Sequence, residues 1–210
     1  MFAVVLLAAT VSVKAAPPIR VAVCDPNHFL TKAYQDLLGR PIDAAASAQW
    51  LGAMKNGMTR SQVASQMTSS AEYRSALARE LYNTYLHRQP SANEVAYFSS
   101  MNAAQVEALI LGSNEYFMRR GGGTSGGFVN ALYEDVLGRA ADPQAIAMFG
   151  QQQNRGVVAQ QVLSSMEARQ RAINAVYLKY LRHAAPPSAF NMTHEQAVTT
   201  VIGSDEYCRQ

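Results

Sequence analysis

The residues that could do chemistry fall into a few groups. Gly123-Thr-Ser125-Gly-Gly127 has the spacing of a hydrolase nucleophile elbow, which would activate the Ser125 hydroxyl. That device needs a strand before the serine and a helix after it. Here Met118, Arg119 and Arg120 read as the end of a helix, so the elbow lacks its first part. No lysine follows the same glycines, so they are not a phosphate-binding loop either.

The four histidines, His28, His87, His183 and His194, contain no i, i+4 pair and no Cys-x-x-Cys accompanies them, so zinc has no ligand pattern. Asp36, Asp43, Glu134, Asp135 and Asp142 could gather around calcium, but the alternating acidic loop with its central glycine is missing. Helix capping and solvation account for them more simply. Nothing calls for a cofactor. Two carboxylates brought together by folding could cleave a glycosidic bond, although each clear candidate already has a local task.

Arg40, Arg88 and Arg139 stand just past three presumed helix ends. They could form a surface for anionic groups, or brace the neighbouring helix starts by pairing with Glu72, Glu115 and Glu167, and the bracing role is preferred. Trp50, Tyr97 and Phe98 sit on apolar stripes and are read first as core, second as the lining of a glycan or peptide groove.

These side chains are set by a repeat. Phe29-Leu-Thr-Lys-Ala-Tyr34-Gln-Asp-Leu-Leu-Gly39-Arg40 aligns without a gap on Phe128-Val-Asn-Ala-Leu-Tyr133-Glu-Asp-Val-Leu-Gly138-Arg139. Weaker copies begin at Leu81-Tyr82 and Val176-Tyr177, giving tyrosine spacings of 48, 51 and 44 residues. Each copy is followed by a Ser-x-Glu element: Ser70 with Glu72, Ser113 with Glu115, Ser165 with Glu167 and Ser204 with Glu206. Periods of this size mark stacked helical units.

Physical chemistry gives both elements a meaning. Phe29, Leu30, Ala33, Tyr34, Leu37 and Leu38 form one helical stripe, and Gly39 supplies the left-handed residue that ends it. Pro41 forbids continuation, Asp43 caps a second helix, and Thr59 or Ser61 starts a third. The serine of the second element caps a helix and its glutamate favours the positive helix end. Ser69 and Ser164 also have capping-box spacing to Glu72 and Glu167. The helix from Ala71 is expected to run to Leu86, and that from Met166 to Leu181, each joining two units.

The chain is therefore predicted to be all-α, with four diverged units of about three helices each, in one or two lobes. Gly121-Gly-Gly-Thr-Ser-Gly-Gly127 has the composition of a flexible linker, so units one and two (25–120) and units three and four (128–210) are expected to pair off on either side of it.

At these residues the sequence resembles a bacterial family known only as domain of unknown function 4214, with its Phe-x-x-x-Leu-Tyr-x-x-x-Leu-Gly-Arg run and terminal Ser-x-Glu-Tyr. Unit one keeps Gly39, Arg40, Pro41, Asp43, Trp50, Gly57, Ser70, Glu72, Tyr73 and Arg74; unit three carries Phe149 near the tryptophan position and Ala168 for the tyrosine. Units two and four lack the glycine. A more distant likeness is to phycobilisome linker domains, also helical. The resemblance implies a helical module of exported, envelope-associated proteins and supplies no substrate.

Bulk properties narrow the partners. The 210 residues are 49% hydrophobic with a net charge of only +3, too small and dispersed to expect nucleic acid. The apolar run Phe2–Val13 suits a signal peptide, cut between Ala15 and Ala16, so residues 1–15 are expected to be removed and the rest exported to the periplasm, cell surface or exterior. No second run approaches membrane length. In an oxidising compartment Cys24 and Cys208 could pair, although they read equally as separate thiols. The expected function is a noncatalytic binding or scaffolding module for an envelope glycan, peptide or surface protein; the alternative is a secreted hydrolase using carboxylates or Ser125.

Overall fold

The first helix, α1 (Pro26–Leu38), ends where the glycine demands it. Gly39 takes φ 70° and donates its N–H to the carbonyl of Gln35. Asp43 then caps α2 (Ala44–Lys55), and Thr59 forms a reciprocal capping box with Gln62 at the start of α3 (Arg60–Thr68). Ser70 accepts the Tyr73 N–H and opens α4, which spans Ala71–Leu86 as expected.

This computed structural model describes residues 24–210, so the proposed signal peptide lies outside the described residues. Beyond α4 come α5 (Ala92–Phe98), α6 (Ala103–Leu111), α7 (Asn114–Arg119), α8 (Ser125–Leu137), α9 (Pro143–Phe149), α10 (Arg155–Leu163) and α11 (Met166–Leu181). A 3-10 turn at Pro187–Asn191, α12 (His194–Ile202) and α13 (Asp205–Cys208) complete the chain, and no strand occurs among the described residues. The protein is all-α.

All four serines of the Ser-x-Glu elements cap helices, accepting the N–H groups of Tyr73, Tyr116, Ala168 and Tyr207. Ser69 and Ser164, whose spacing suggested a capping box, instead terminate α3 and α10. Their glutamates have other partners, described below. Where units two and four lack glycine, His87 (φ 52°) and Arg182 (φ 64°) adopt the same left-handed conformation. Each costs about 1–2 kcal/mol relative to a right-handed residue, so the turn is kept against local preference.

The buried side chains form two cores, and these cut across the pairing suggested by the glycine run. One contains Phe29, Leu30, Val63 and Met67 of unit one with Tyr177, Val198, Ile202 and Tyr207 of unit four. The other contains Tyr82, Val106 and Ile110 of unit two with Phe128, Leu132 and Val158 of unit three. The two long helices cross between them: α4 gives Tyr73 to the first core and Tyr82 to the second, whereas α11 gives Ala168 to the second and Ile173 to the first.

The glycine run is accordingly no linker. Thr124 caps α8 and Ser125 to Gly127 form its first turn. Gly121 is buried, and a Cβ there would come within 2.8 Å of the Phe128 backbone. The glycines are needed for close backbone approach between α7 and α8.

The cores also share a helix crossing. In the second, α6 meets α10 with Gly112 against Gly156; in the first, α12 meets α3 with Gly203 against Ser61. Cys24 and Cys208 form a disulfide with Cα atoms 5.7 Å apart, tying the start of α1 to the end of α13.

Candidate functional site

Between the two cores lies a cavity of about 680 Å³, walled by α4 and α11 and closed by parts of α1, α6, α8 and α12. Leu77, Leu81, Val136, Leu163 and Val176 make its surface mainly apolar. Polar groups concentrate at two places. One holds Tyr85, whose hydroxyl donates to Glu107 at 2.5 Å. The other holds Tyr73, Tyr180, His194 and the ion pair of Glu80 with Lys179, whose atoms are 2.9 Å apart.

Burial sets the electrostatics. It pushes the Glu107 carboxyl above the usual carboxylate range, partly offset by the Tyr85 hydroxyl. It pushes the His194 imidazole below its ordinary value, so that the ring is held neutral. The Nδ1 of His194 is shielded from solvent and has no hydrogen-bond partner. Burial likewise raises the Tyr73, Tyr85 and Tyr180 hydroxyls above the usual phenol range.

The arginines expected to bind anions or brace helix starts each pair with a glutamate in the first turn of a helix. Arg40 pairs with Glu72 through two contacts, one of 3.0 Å. Arg88 reaches Glu115 at 2.8 and 2.7 Å, and Arg139 reaches Glu167 at 2.6 and 2.8 Å. Each guanidinium also lies over the tyrosine of its own unit, 5.1 Å from Tyr34, 4.7 Å from Tyr82 and 5.2 Å from Tyr133. Each donates as well to the carbonyl of the next residue.

Unit four repeats all three contacts with a different side chain. His183 sits 3.0 Å from Glu206, stacks edgewise on Tyr177 at 6.0 Å and bonds the Ala184 carbonyl at 2.8 Å. That carbonyl, with Glu206, raises the His183 pKa. The arginine hydrogen bonds depress Glu72, Glu115 and Glu167 below the usual carboxylate range.

Residues 22–77, which contain the whole Arg40–Glu72 clasp, match the family described as Domain of unknown function (DUF4214). In this segment the chain is similar to that family. No curated protein and no solved structure matches the chain.

Inside the matched segment, Trp50 donates its indole N–H to the Tyr34 hydroxyl at 2.9 Å and so props the ring beneath Arg40. Phe98 packs on Tyr82 at 5.8 Å and Phe149 on Tyr133 at 6.4 Å, each sixteen residues after its tyrosine, as Trp50 is. Trp50 and Phe98 are thus counterparts in separate units: Trp50 borders the first core and Phe98 belongs to the second. Tyr97, 58% exposed, lies against Phe98. The three are not brought to the cavity, whose lining includes none of them.

The remaining candidates have local tasks. Asp43 and Asp142 cap α2 and α9. Asp36 takes Lys32 and the Tyr207 hydroxyl, and Asp135 takes Arg120 and the Tyr116 hydroxyl. Glu134 accepts from Asn130. Ser125 is the exposed first residue of α8, preceded by a turn and helix where the elbow would need a strand. Among the described residues no group of three His, Cys, Asp or Glu gathers for a metal ion, and no helix is long and apolar enough to cross a membrane.

Glu107 has no counterpart among the candidates above, and His194 stands there only as a histidine without a zinc partner, although the sequence does carry a signal for Glu107. Aligning the four third helices on their N-caps, Thr59, Asn102, Asn154 and Thr193, sets Glu107 against Ala64, Ala159 and Val198. One unit places a carboxyl where the others place apolar side chains.

Proposed function

We propose that this chain is an exported, noncatalytic binding module whose ligand occupies the cavity between its two cores. The observation that carries this reading is the cavity itself. Its volume of about 680 Å³ falls in the range of small-molecule sites, and it combines apolar walls with a few polar groups that have no capping or bracing task. A peptide side chain or a small amphiphile of the cell envelope suits such a space better than an extended glycan, which favours an open groove.

The residues that recur most clearly, Arg40, Arg88, Arg139 and their glutamates, are engaged with one another and serve the architecture. Export is supported by the apolar run at residues 2–13 and by the Cys24–Cys208 bridge, which persists in oxidising compartments. The hydrolase alternative has less support, because among the described residues no hydrogen bond joins Ser125 to a base and Glu80 is paired with Lys179.

Titration with n-octanol, followed by amide chemical-shift mapping of the oxidised protein, tests the site. Shifts concentrated at residues 77–85, 103–107, 168–180 and 192–198 are expected. Shifts confined to Trp50 and Tyr97, or none at all, would overturn the assignment.

A further inference from the structure

The charges around the cavity do not balance evenly. Of the carboxylates lining it, Asp36 is neutralised by Lys32, Asp135 by Arg120 and Glu80 by Lys179, at 3.0, 2.6 and 2.9 Å. Glu107 forms no ion pair among the described residues. Its hydrogen-bond partner is the Tyr85 hydroxyl, a neutral donor.

Folding does not require this arrangement. Glu107 stands where three units have Ala64, Ala159 and Val198, and Tyr85 stands where units one and three have Leu37 and Val136. Glu107 is half-buried, and a carboxyl drawn out of water is costly unless it is paired and hydrogen-bonded, so a group kept here against apolar alternatives points to something outside the chain that pairs with it. A second group at the cavity also lacks a partner: the shielded Nδ1 of His194.

Resting on the binding reading above, we infer that the ligand carries a protonated amine on an apolar body, with Glu107 as the counter-ion of the amine. The Glu107 carboxylate accepts a charge-assisted hydrogen bond from the ammonium while Tyr85 holds its second oxygen in place. Leu81, Val136 and Leu163 cover the apolar body. The neutral His194 ring offers a hydrogen bond to a polar group further along it. Arg169 and Arg171 also line the cavity but are exposed, so water screens their charge more than it screens the half-buried carboxyl. Burial alone drives Glu107 toward protonation, and an entering ammonium opposes that by favouring the charged form.

Calorimetric titration of the oxidised protein at pH 7 with n-octylamine, n-octanol and sodium octanoate tests the assignment. Octylamine is expected to bind about tenfold or more tightly than octanol. Glu107→Gln should remove that advantage, so that the amine and the alcohol bind with about equal affinity. Glu107→Ala, which installs the side chain found in units one and three, should fold and behave likewise. Equal affinity for the amine and the alcohol, preference for octanoate, or octylamine binding unaffected by Glu107→Gln would each overturn the amine assignment while leaving the cavity as a binding site. No binding of any of the probes would overturn both.

Discussion

The two cores are closed by different means at the same place. In the second core α7 runs into α8 through Gly121–Thr124, and the Gly123 N–H donates to the Phe117 carbonyl at 3.0 Å. In the first core the equivalent helices are α13 and α1, the last and first of the described chain, and no peptide joins them. Counting from Tyr116 and Tyr207, and from Phe128 and Phe29, the counterparts of Phe117 and Gly123 are Cys208 and Cys24. The disulfide stands where the second core has a backbone hydrogen bond.

The neighbouring contacts agree. Tyr116 donates to Asp135 at 2.8 Å and Tyr207 to Asp36 at 2.7 Å. Arg155 reaches Asn114 across one core, and Arg60 pairs with Asp205 across the other. An interface that chain connectivity maintains in one core needs a covalent substitute in the other, where the ends would otherwise separate. In the chain-entropy model a loop of 184 residues is worth about 5 kcal/mol.

This comparison is most severely tested at the bridge. Cys24→Ser with Cys208→Ser should cost up to about 5 kcal/mol in denaturant unfolding, the largest single effect expected. A cost under about 1 kcal/mol would mean that the first core closes without it.

The helix crossings come next. A Cβ at Gly112 would lie 2.6 Å from the Gly156 Cα, and one at Gly203 would lie 2.7 Å from the Ser61 Cα. Gly112→Ala and Gly203→Ala should each destabilise by about 1–3 kcal/mol, comparably in the two cores. A tolerated alanine at one site would break the equivalence of the crossings. Tyr116→Phe and Tyr207→Phe remove one hydroxyl-to-carboxylate bond each and should cost about 1.5 kcal/mol apiece by the same measurement.

The smallest effect separates the clasps. A histidine whose pKa is raised on folding contributes stability that is present in full below its ordinary value, about 6.5, and is lost as pH rises through the raised folded value. The Arg40, Arg88 and Arg139 clasps keep their charge throughout that range, and weaken only in acid, as pH falls through the depressed values of their glutamates. His194 acts in the opposite sense, since its lowered pKa disfavours the folded state in acid. The difference in melting temperature between wild type and His183→Gln isolates the clasp. It should be present at pH 5.5 and shrink above neutrality, whereas Arg139→Ala should lower the melt equally at both.

Much of the fold was legible because it rests on local chemistry. Gly39 and Gly138 end helices, four serines start them, and α4 and α11 stop at Leu86 and Leu181 as their stripes require. The pairing of units was not legible. It depends on contacts such as Tyr207 with Asp36, 171 residues apart, and composition misled where glycines serving close approach resembled a linker. Gly112 and Gly203 admit another helix, a role that no local pattern announces. Glu107 was visible only as a departure from the other units, and its burial depends on the way α4 and α6 enclose the cavity.

Hydrogen exchange followed by mass spectrometry, comparing the oxidised protein with the Cys24→Ser, Cys208→Ser variant, tests the two-core architecture most directly. Protection is predicted to fall first in α1, α3, α12 and α13, while α6, α8 and α10 keep theirs. Loss that is uniform, or that divides at the glycine run into residues 25–120 and 128–210, would contradict it.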